Sequence, residues 1–225
     1  MYKRQPTSKT PATKKDPGFL LIYGAPKAGK TSTIAKLEDC LIIDTERGTE
    51  YVDAMKVHVN TLAEYTELSQ SLSKSKNSYR YIALDTIDNL AGWIEQYVCK
   101  QNGVTTIGDM EYGKGFALVR EAVMKAVMKL KEFATEGIII VGHTKRSTII
   151  DEDHSKVIDI NELNLTGKLK NELMSAADAI GFVFREDGNL KISFKTGSDS
   201  TQTGSRCPHL ANQVLDFKWN NIFID

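Results

Sequence analysis

The segment that most constrains the fold is FLLIYGAPKAGKTSTIA, residues 19–35. It consists of an apolar strand, a turn bracketed by two glycines and the start of a helix. The turn matches G-x-x-x-x-G-K-[ST] at every position, a pattern whose glycines let backbone N–H groups turn inward around phosphates. The N-terminal end of the following helix faces the same charge. The segment therefore predicts a nucleoside triphosphate site within an α/β fold.

The predicted nucleotide site combines this loop with a metal-binding carboxylate. Lys30 is expected to reach the β- and γ-phosphates, and the Thr31 hydroxyl to bind Mg²⁺. The apolar strand YIALD, residues 81–85, ends in Asp85, which is expected to hold the same Mg²⁺ through water. The residues predicted to bind ATP are Gly24, Ala25, Pro26, Lys27, Ala28, Gly29, Lys30, Thr31 and Ser32.

Short apolar runs alternate with helical patterns along the rest of the chain. The predicted strands are 19–24, 41–44, 56–59, 81–85, 138–142 and 179–184, and the predicted helices are 62–72, 87–98 and 115–134. This alternation predicts βαβ units in a mostly parallel sheet flanked by helices, with ligands at the carboxyl ends of the strands. Near the C-terminus, FVFREDGNLKISFK (residues 182–195) predicts a β-hairpin that turns at Asp187-Gly188.

Length and charge limit the organisation of the chain. The 225 residues fit one domain, and Lys+Arg and Asp+Glu both number 29, so that any nucleic-acid site must be a local patch. Residues 1–17 are predicted to form a flexible basic arm, which includes Lys3 and Arg4, ahead of a single domain at 18–225. Neither a signal peptide nor a membrane span is expected, which predicts a soluble protein of the cytoplasm.

Hydrolysis needs a group that orients or deprotonates the attacking water. In many ring ATPases a glutamate directly after the metal-binding aspartate has this role, but here the next residue is Thr86. The segment CLIIDTERG, residues 40–48, offers Glu46 instead, just past the second predicted strand. Glu46 is therefore the candidate base.

The motifs GAPKAGKTS, DTERG, ALDTID, VGHTKR and SRCPHL together resemble the RecA-like recombinase and helicase superfamily over residues 18–215. They resemble most the short phage ATPases with an AAA domain that are associated with single-strand annealing and recombination. The resemblance implies a RecA-like core in which Glu46 is the catalytic base and His143 senses the γ-phosphate. It also implies a basic residue that completes the site of a neighbouring subunit, with Arg206 as first candidate and Lys195 as second.

Two polar segments, 99–115 and 144–168, are longer than ordinary α/β connections. By the resemblance they lie where the superfamily has its two DNA-binding loops. Tyr112 is expected to stack on a base, and Lys114, Lys145 and Arg146 to contact phosphates. The acidic residues of the second segment, Asp151, Glu152, Asp153 and Asp159, oppose such a contact.

The function predicted from these features is an ATPase that binds single-stranded DNA, forms a ring or filament and promotes annealing or recombination, with hydrolysis stimulated by DNA. A single-strand DNA-binding protein is a further expected partner, and a phage origin would place the enzyme in the bacterial host cytoplasm. Three alternatives remain open: a DNA-annealing protein that uses ATP only as an assembly switch, a small-molecule kinase, and a motor or packaging ATPase. A kinase would need an arginine-rich lid, and no cluster of arginines is present.

Overall fold

The computed structural model describes residues 9–75, 79–150, 157–197 and 200–224. Within these ranges the helices are α1 (Lys30–Ile34), α2 (Leu62–Lys74), α3 (Ile87–Asn102), α4 (Lys114–Leu130) and α5 (Gly167–Ala176). The strands are β1 (Phe19–Gly24), β2 (Cys40–Asp44), β3 (Lys56–His58), β4 (Tyr79–Asp85), β5 (Ala134–Ile150), β6 (Val157–Leu163), β7 (Ala179–Glu186), β8 (Asn189–Ser193), β9 (Gly204–Ser205) and β10 (Val214–Asp216).

The strands form one mixed sheet in the order β10-β8-β7-β1-β5-β4-β2-β3, with β6 paired to β5 and β9 to β7. Strand β1 is parallel to both of its neighbours, β5 and β7, and the series continues in parallel through β4, β2 and β3. The C-terminal strands are antiparallel additions. Strand β5 separates the phosphate-loop strand from the strand that ends in Asp85. The predicted RecA-like α/β fold is confirmed.

Both faces of the central strands are buried, as parallel strands covered by helices require. On one face, Phe19, Leu21 and Tyr23 pack with residues of α2, α3, α4 and α5. On the other face, Leu20 and Ile22 pack with α1 and the C-terminal segment. The carboxyl ends of β1, β2, β4 and β5 therefore meet at one edge of the sheet.

Residues 144–168 differ from the predicted long loop. Strand β5 continues past the sheet, and Thr144–Ile150 pair with Val157–Leu163 of β6 in an antiparallel β5–β6 hairpin. Leu163 is buried at the base of the hairpin, where a Cβ on Gly142 would lie 2.3 Å from its Cδ1. The ladder satisfies the backbone of a polar sequence, which is why the segment does not need to be irregular. Asp151, Glu152 and Asp153 lie outside the described residues.

Residues 99–115 also differ from an open loop. Helix α3 extends to Asn102, and two short 3₁₀ turns at Ile107–Asp109 and Glu111–Gly113 lead into α4. Thr106 and Asp109 cap the first turn reciprocally, and the Ile107 side chain is buried. This packing into the core fixes the connection.

The hairpin predicted about Asp187-Gly188 is present as β7 and β8, and both turn residues have positive φ, 49° and 79°. Residues 9–17 form neither helix nor strand in the structure, and Asp16 accepts a hydrogen bond from the Ile224 N–H at 3.0 Å. Lys3 and Arg4 lie outside the described residues. None of the helices in the described part of the chain combines the length and the hydrophobicity that crossing a bilayer requires.

A charged cluster on the β5–β6 hairpin joins it to α5. Glu162 accepts hydrogen bonds from Lys170 of α5 and from Ser147, and its carboxylate lies 3.4 Å from Lys145 Nζ. Burial raises the pKa of Glu162, but the Lys170 and Ser147 hydrogen bonds and the two lysine charges outweigh it and lower that pKa to about 2. The ionised Glu162 therefore ties the hairpin to the domain.

Replacing Glu162 with glutamine is expected to lower the free energy of unfolding at pH 7 by about 1 kcal/mol, since one charge-assisted contact is lost near the surface. The pKa of Glu162 is depressed in the folded state. Its contribution is therefore full above the unfolded value of 4.5 and is lost as the pH falls towards 2. Urea unfolding of both proteins from pH 7 down to pH 3 should show the difference shrinking below about pH 4.5. A difference that does not depend on pH would contradict this account.

Candidate nucleotide site

The phosphate-binding loop leaves β1 at Gly24 and returns into α1 at Lys30. Lys27 and Gly29 have positive φ, 61° and 116°, which turns the backbone back on itself. Lys30 Nζ donates to the carbonyl oxygens of Gly24 and Ala25, each at 2.9 Å. Burial lowers the pKa of Lys30, against the charges of Asp85 and Glu46, which raise it. The ammonium thus lies inside the loop, where phosphate oxygens can replace the carbonyls as its partners.

Thr31 and Asp85 meet beside the loop. The Thr31 hydroxyl donates to Asp85 Oδ2 at 2.6 Å. Burial raises the pKa of Asp85 to about 6, because the Thr31 hydrogen bond only partly offsets it and the charges of Glu46 and Asp44 add to it. A cation at this position would offset the free-energy cost of burying the ionised Asp85 carboxylate.

This donor set fits Mg²⁺, which binds proteins through one or two oxygen ligands and takes the rest from phosphates and water. The described residues contain no group of three or more His, Cys, Asp or Glu side chains that could hold a metal on its own. A metal here would therefore depend on the nucleotide. Thr31 and Asp85 would be its protein partners.

Glu46 lies in the turn after β2, next to the end of β4. Its Oε1 accepts a hydrogen bond from the Thr86 hydroxyl at 2.9 Å and lies 3.5 Å from His143 Nδ1. The Glu46 side chain is 34% exposed, so a water molecule can reach it. Three strands thus bring a carboxylate, a hydroxyl and an imidazole together beside the predicted metal site.

Asp44 fixes the turn that carries Glu46. Its carboxylate accepts the backbone N–H groups of Glu46 at 2.9 Å, Gly48 at 3.3 Å and Thr49 at 2.9 Å, and the Thr49 hydroxyl at 2.5 Å. Burial raises the pKa of Asp44, but these hydrogen bonds and His58 outweigh it, so the pKa is lowered. Asp44 is therefore ionised and holds the Glu46 backbone in place.

Thr45 joins the ends of β2 and β4. Its hydroxyl accepts from the Thr86 N–H at 2.8 Å and donates to the Thr86 carbonyl at 3.1 Å, and Asn89 Nδ2 donates to the Thr45 carbonyl at 2.9 Å. The peptide bond between Asp85 and Thr86 is cis. The hydrogen bonds of Thr45 set the spacing between Glu46 and Asp85.

His143 lies at the end of the buried part of β5, between two carboxylates. Its backbone N–H donates to Asp88 Oδ2 at 3.1 Å, and its Nδ1 lies 3.8 Å from that oxygen and 3.5 Å from Glu46 Oε1. Burial raises the pKa of Asp88 against the His143 hydrogen bond. The other oxygen, Asp88 Oδ1, is buried and has no hydrogen-bond partner among the described residues. The imidazole thus contacts the candidate base directly.

The two candidate trans residues lie elsewhere. Arg206 follows β9, which pairs with the amino-terminal end of β7, on the edge opposite the phosphate loop. Its guanidinium donates to the Ser175 carbonyl at 2.8 Å and lies 3.5 Å from Asp178 Oδ1. Lys195 is exposed just after β8, and its carbonyl accepts from Thr203. Neither residue reaches the site of its own chain, and a role at a neighbour's site stays a prediction.

The predicted DNA-contacting residues divide into two groups. Tyr112 is fully exposed and lines a cavity of about 470 Å³ together with Phe116 and Lys168, and Lys114 begins α4 nearby in the chain. Lys145 and Arg146 lie on the β5–β6 hairpin and point to opposite faces, because side chains alternate along a strand. Lys145 is the one near Glu162.

Sequence reasoning missed several residues of the site. The sequence marks Thr86 only as the absence of a glutamate, and the expectations above do not include Asp44, Thr45, Asp88 and Asn89. A signal existed for Asp44, which directly ends a buried strand two residues before Glu46. The others act through contacts between strands that are distant in sequence.

A phosphate loop on β1, a carboxylate at the end of β4 and β5 between them define a P-loop ATPase with a RecA-like fold. The family model described as AAA domain matches residues 18–207, and the chain belongs to this AAA domain family. Among curated proteins, none is similar enough to this sequence to count as a match.

The solved structures that match this chain include two with TM-scores below 0.5. The RadB recombinase is 12% identical, with 89% of this chain and 86% of that chain covered and a TM-score of 0.48. An ATPase from the type III secretion system of pathogenic bacteria is 14% identical, with a TM-score of 0.42 and 82% of this chain covered. The match spans 62% of that ATPase.

Proposed function

We propose that this protein is an ATPase that binds single-stranded DNA and promotes strand annealing or recombination as an oligomer. The observation that carries the proposal is the convergence of Thr31, Asp85, Glu46 and His143 at one edge of the sheet. The strand that bears His143 continues from there into the β5–β6 hairpin. The candidate site for ATP turnover and the β5–β6 hairpin thus share one continuous strand.

In the proposed hydrolysis, Glu46 orients the attacking water and accepts its proton, for which its partial exposure and fixed backbone are suited. Lys30 binds the phosphates, and Thr86 and His143 fix the orientation of the Glu46 carboxylate. Mg²⁺, when bound with the nucleotide, neutralises phosphate charge. Thr31 and Asp85 would hold it.

The proposed DNA surface lies at the same edge of the sheet. Helices α4 and α5 both lead into parallel strands, so their first turns lie at the carboxyl edge, and the cavity lies between them. Its exposed aromatic side chains, Tyr112 and Phe116, offer stacking surfaces and its Lys168 offers a cation, and the exposed Lys114 of the first turn of α4 offers a second one. Aromatic platforms flanked by cations are the usual basis of single-strand binding without sequence preference.

The proposed oligomer would place a basic residue of one subunit at the phosphates of the next. Arg206 is on the far edge from its own phosphate loop, so the role that we propose for it is at the site of a neighbour. Lys195 is the second candidate. A single-strand DNA-binding protein is proposed as a further partner.

The test is ATP hydrolysis with and without single-stranded DNA. Stimulation by DNA supports the proposal. Turnover that is indifferent to DNA would favour a kinase, a motor or another ATPase that does not act on DNA. Absence of turnover together with ATP-dependent DNA binding would favour the assembly switch.

Replacing Tyr112 with alanine is expected to weaken single-strand affinity about tenfold, since one stacked base contributes 1–3 kcal/mol. ATP hydrolysis without DNA should be unaffected, because Tyr112 lies outside the nucleotide site. Fluorescence anisotropy with a labelled oligonucleotide measures the affinity. Tyr97→Ala is the matched control, as Tyr97 is a 53% exposed tyrosine of α3. Equal effects of the two substitutions would exclude a specific contact by Tyr112.

A further inference from the structure

Arg185 lies beside the phosphate loop of its own chain. It is two residues past Val183, which pairs with Gly24 at the end of β1. A Cβ built on Gly29 would lie 3.4 Å from Arg185 Nη2 and 3.3 Å from Leu190 Cδ2. Arg185 and Leu190 face each other across the β7–β8 hairpin, and both therefore support the loop from the same face.

The guanidinium of Arg185 is exposed and held by the hairpin turn. Its Nη1 donates to the Gly188 carbonyl at 2.9 Å, which fixes it to the hairpin turn. Within the part of the chain that the structure describes, no carboxylate lies within ion-pair distance of it. An arginine held next to a phosphate-binding loop, with no counter-ion among the residues that the structure describes, is suited to a phosphate ligand.

The sheet order indicates which part of the nucleotide Arg185 contacts. Asp85 and Glu46 come from β4 and β2, on the β5 side of β1, whereas Arg185 comes from β7 on the other side. The γ-phosphate has to face Glu46 for water attack. Arg185 is therefore on the side of the nucleoside diphosphate that remains after cleavage.

We infer that Arg185 binds the nucleoside diphosphate part of the nucleotide in its own chain and sets nucleotide affinity rather than the rate of the chemical step. This inference rests on the proposed function, because it assumes that the loop binds ATP. It is separate from the trans role proposed for Arg206. A contact made equally in ATP and ADP changes binding without changing the barrier.

The experiment measures ADP binding by calorimetry and steady-state ATP hydrolysis, both without DNA. Arg185→Ala should weaken ADP binding about tenfold, the effect of one charge-assisted hydrogen bond, and raise KM by a similar factor. The change in kcat should be much smaller than the change in KM. Arg185→Lys should recover part of the loss.

Lys191→Ala is the matched control, because Lys191 lies on the same hairpin, pairs with Phe184 and points to the opposite face. It should bind ADP like the wild type. Unchanged ADP affinity in Arg185→Ala, or a fall in kcat with normal ADP affinity, would overturn the inference. An equal loss in Lys191→Ala would do the same, since it would point to a general effect of the hairpin.

Failure of the proposed nucleotide site gives a different pattern. If Lys30→Ala binds ADP as tightly as the wild type, the loop does not bind the nucleotide and both proposals fail. If Lys30→Ala loses binding and Arg185→Ala does not, only the inference about Arg185 fails. Absence of DNA stimulation leaves the Arg185 result unaffected.

Discussion

Replacing Glu46 with glutamine is expected to lower kcat for ATP hydrolysis by about 10²–10⁴-fold, the contribution of a positioned general base. Affinity for ATP should change by less than about threefold, which corresponds to less than the free energy of one hydrogen bond. The amide keeps the size of the side chain and still accepts the Thr86 hydrogen bond, but it cannot take a proton. Steady-state phosphate release and calorimetric binding of a slowly hydrolysed ATP analogue measure the two effects.

The matched control is Glu50→Gln, an exposed glutamate four residues further along the same turn. It should hydrolyse ATP at the wild-type rate. Normal turnover in Glu46→Gln would remove Glu46 from the mechanism. His143 would then become the next candidate base, because its imidazole lies beside Glu46 Oε1.

Replacing Lys30 with alanine is expected to weaken ATP binding by about 10–100-fold, since hydrogen bonds to a charged group contribute 1.5–3 kcal/mol. The ammonium is buried and held by the loop, so little reorganisation is needed for it to bind phosphate. Calorimetry with ATP and Mg²⁺ measures the loss. The rate of ATP hydrolysis should fall together with the affinity for ATP.

The control for this second substitution is Lys36→Ala, an exposed lysine just after α1. Circular dichroism of Lys30→Ala should match the wild type, because the lost contacts are confined to the loop. ATP affinity that stays within about twofold of wild type, which is less than the free energy of one hydrogen bond, would contradict the phosphate-binding role of Lys30.

The fold was largely predictable from the sequence, because its central strands are buried on both faces and appear as continuous apolar runs. Strand β1 has the predicted limits, 19–24, and the predicted helix 115–134 corresponds to α4 at Lys114–Leu130. The β5–β6 hairpin was not predicted. Its β5 part, residues 144–148, is polar on both faces, so it lacks the alternation that marks a half-buried strand.

The site was predictable only where one local pattern defines it. The phosphate loop and Asp85 are each marked by a strand directly before them. The contact of Thr86 with Glu46 depends on β2 lying next to β4, and the position of Arg185 beside Gly29 depends on β7 lying next to β1. Such adjacency is a property of the sheet order, and no single segment contains it. The roles of the site residues stay predictions.

Strand β5 has a mechanical consequence. His143 and Arg146 are three residues apart on one continuous strand, a distance of about 10 Å at the usual rise per residue. Gly142 and Leu163 pack together at the base of the hairpin, and the His143 carbonyl accepts the Asn164 N–H at 2.9 Å, so both strands of the hairpin are anchored at the level of His143. Asn161, which pairs with Arg146, also donates its N–H to the Ser200 carbonyl at 2.7 Å, so the hairpin is held at the level of Arg146 as well as at its base. A displacement of the imidazole is therefore passed along one continuous strand to Arg146, and through its partner Asn161 to the segment that contains Ser200.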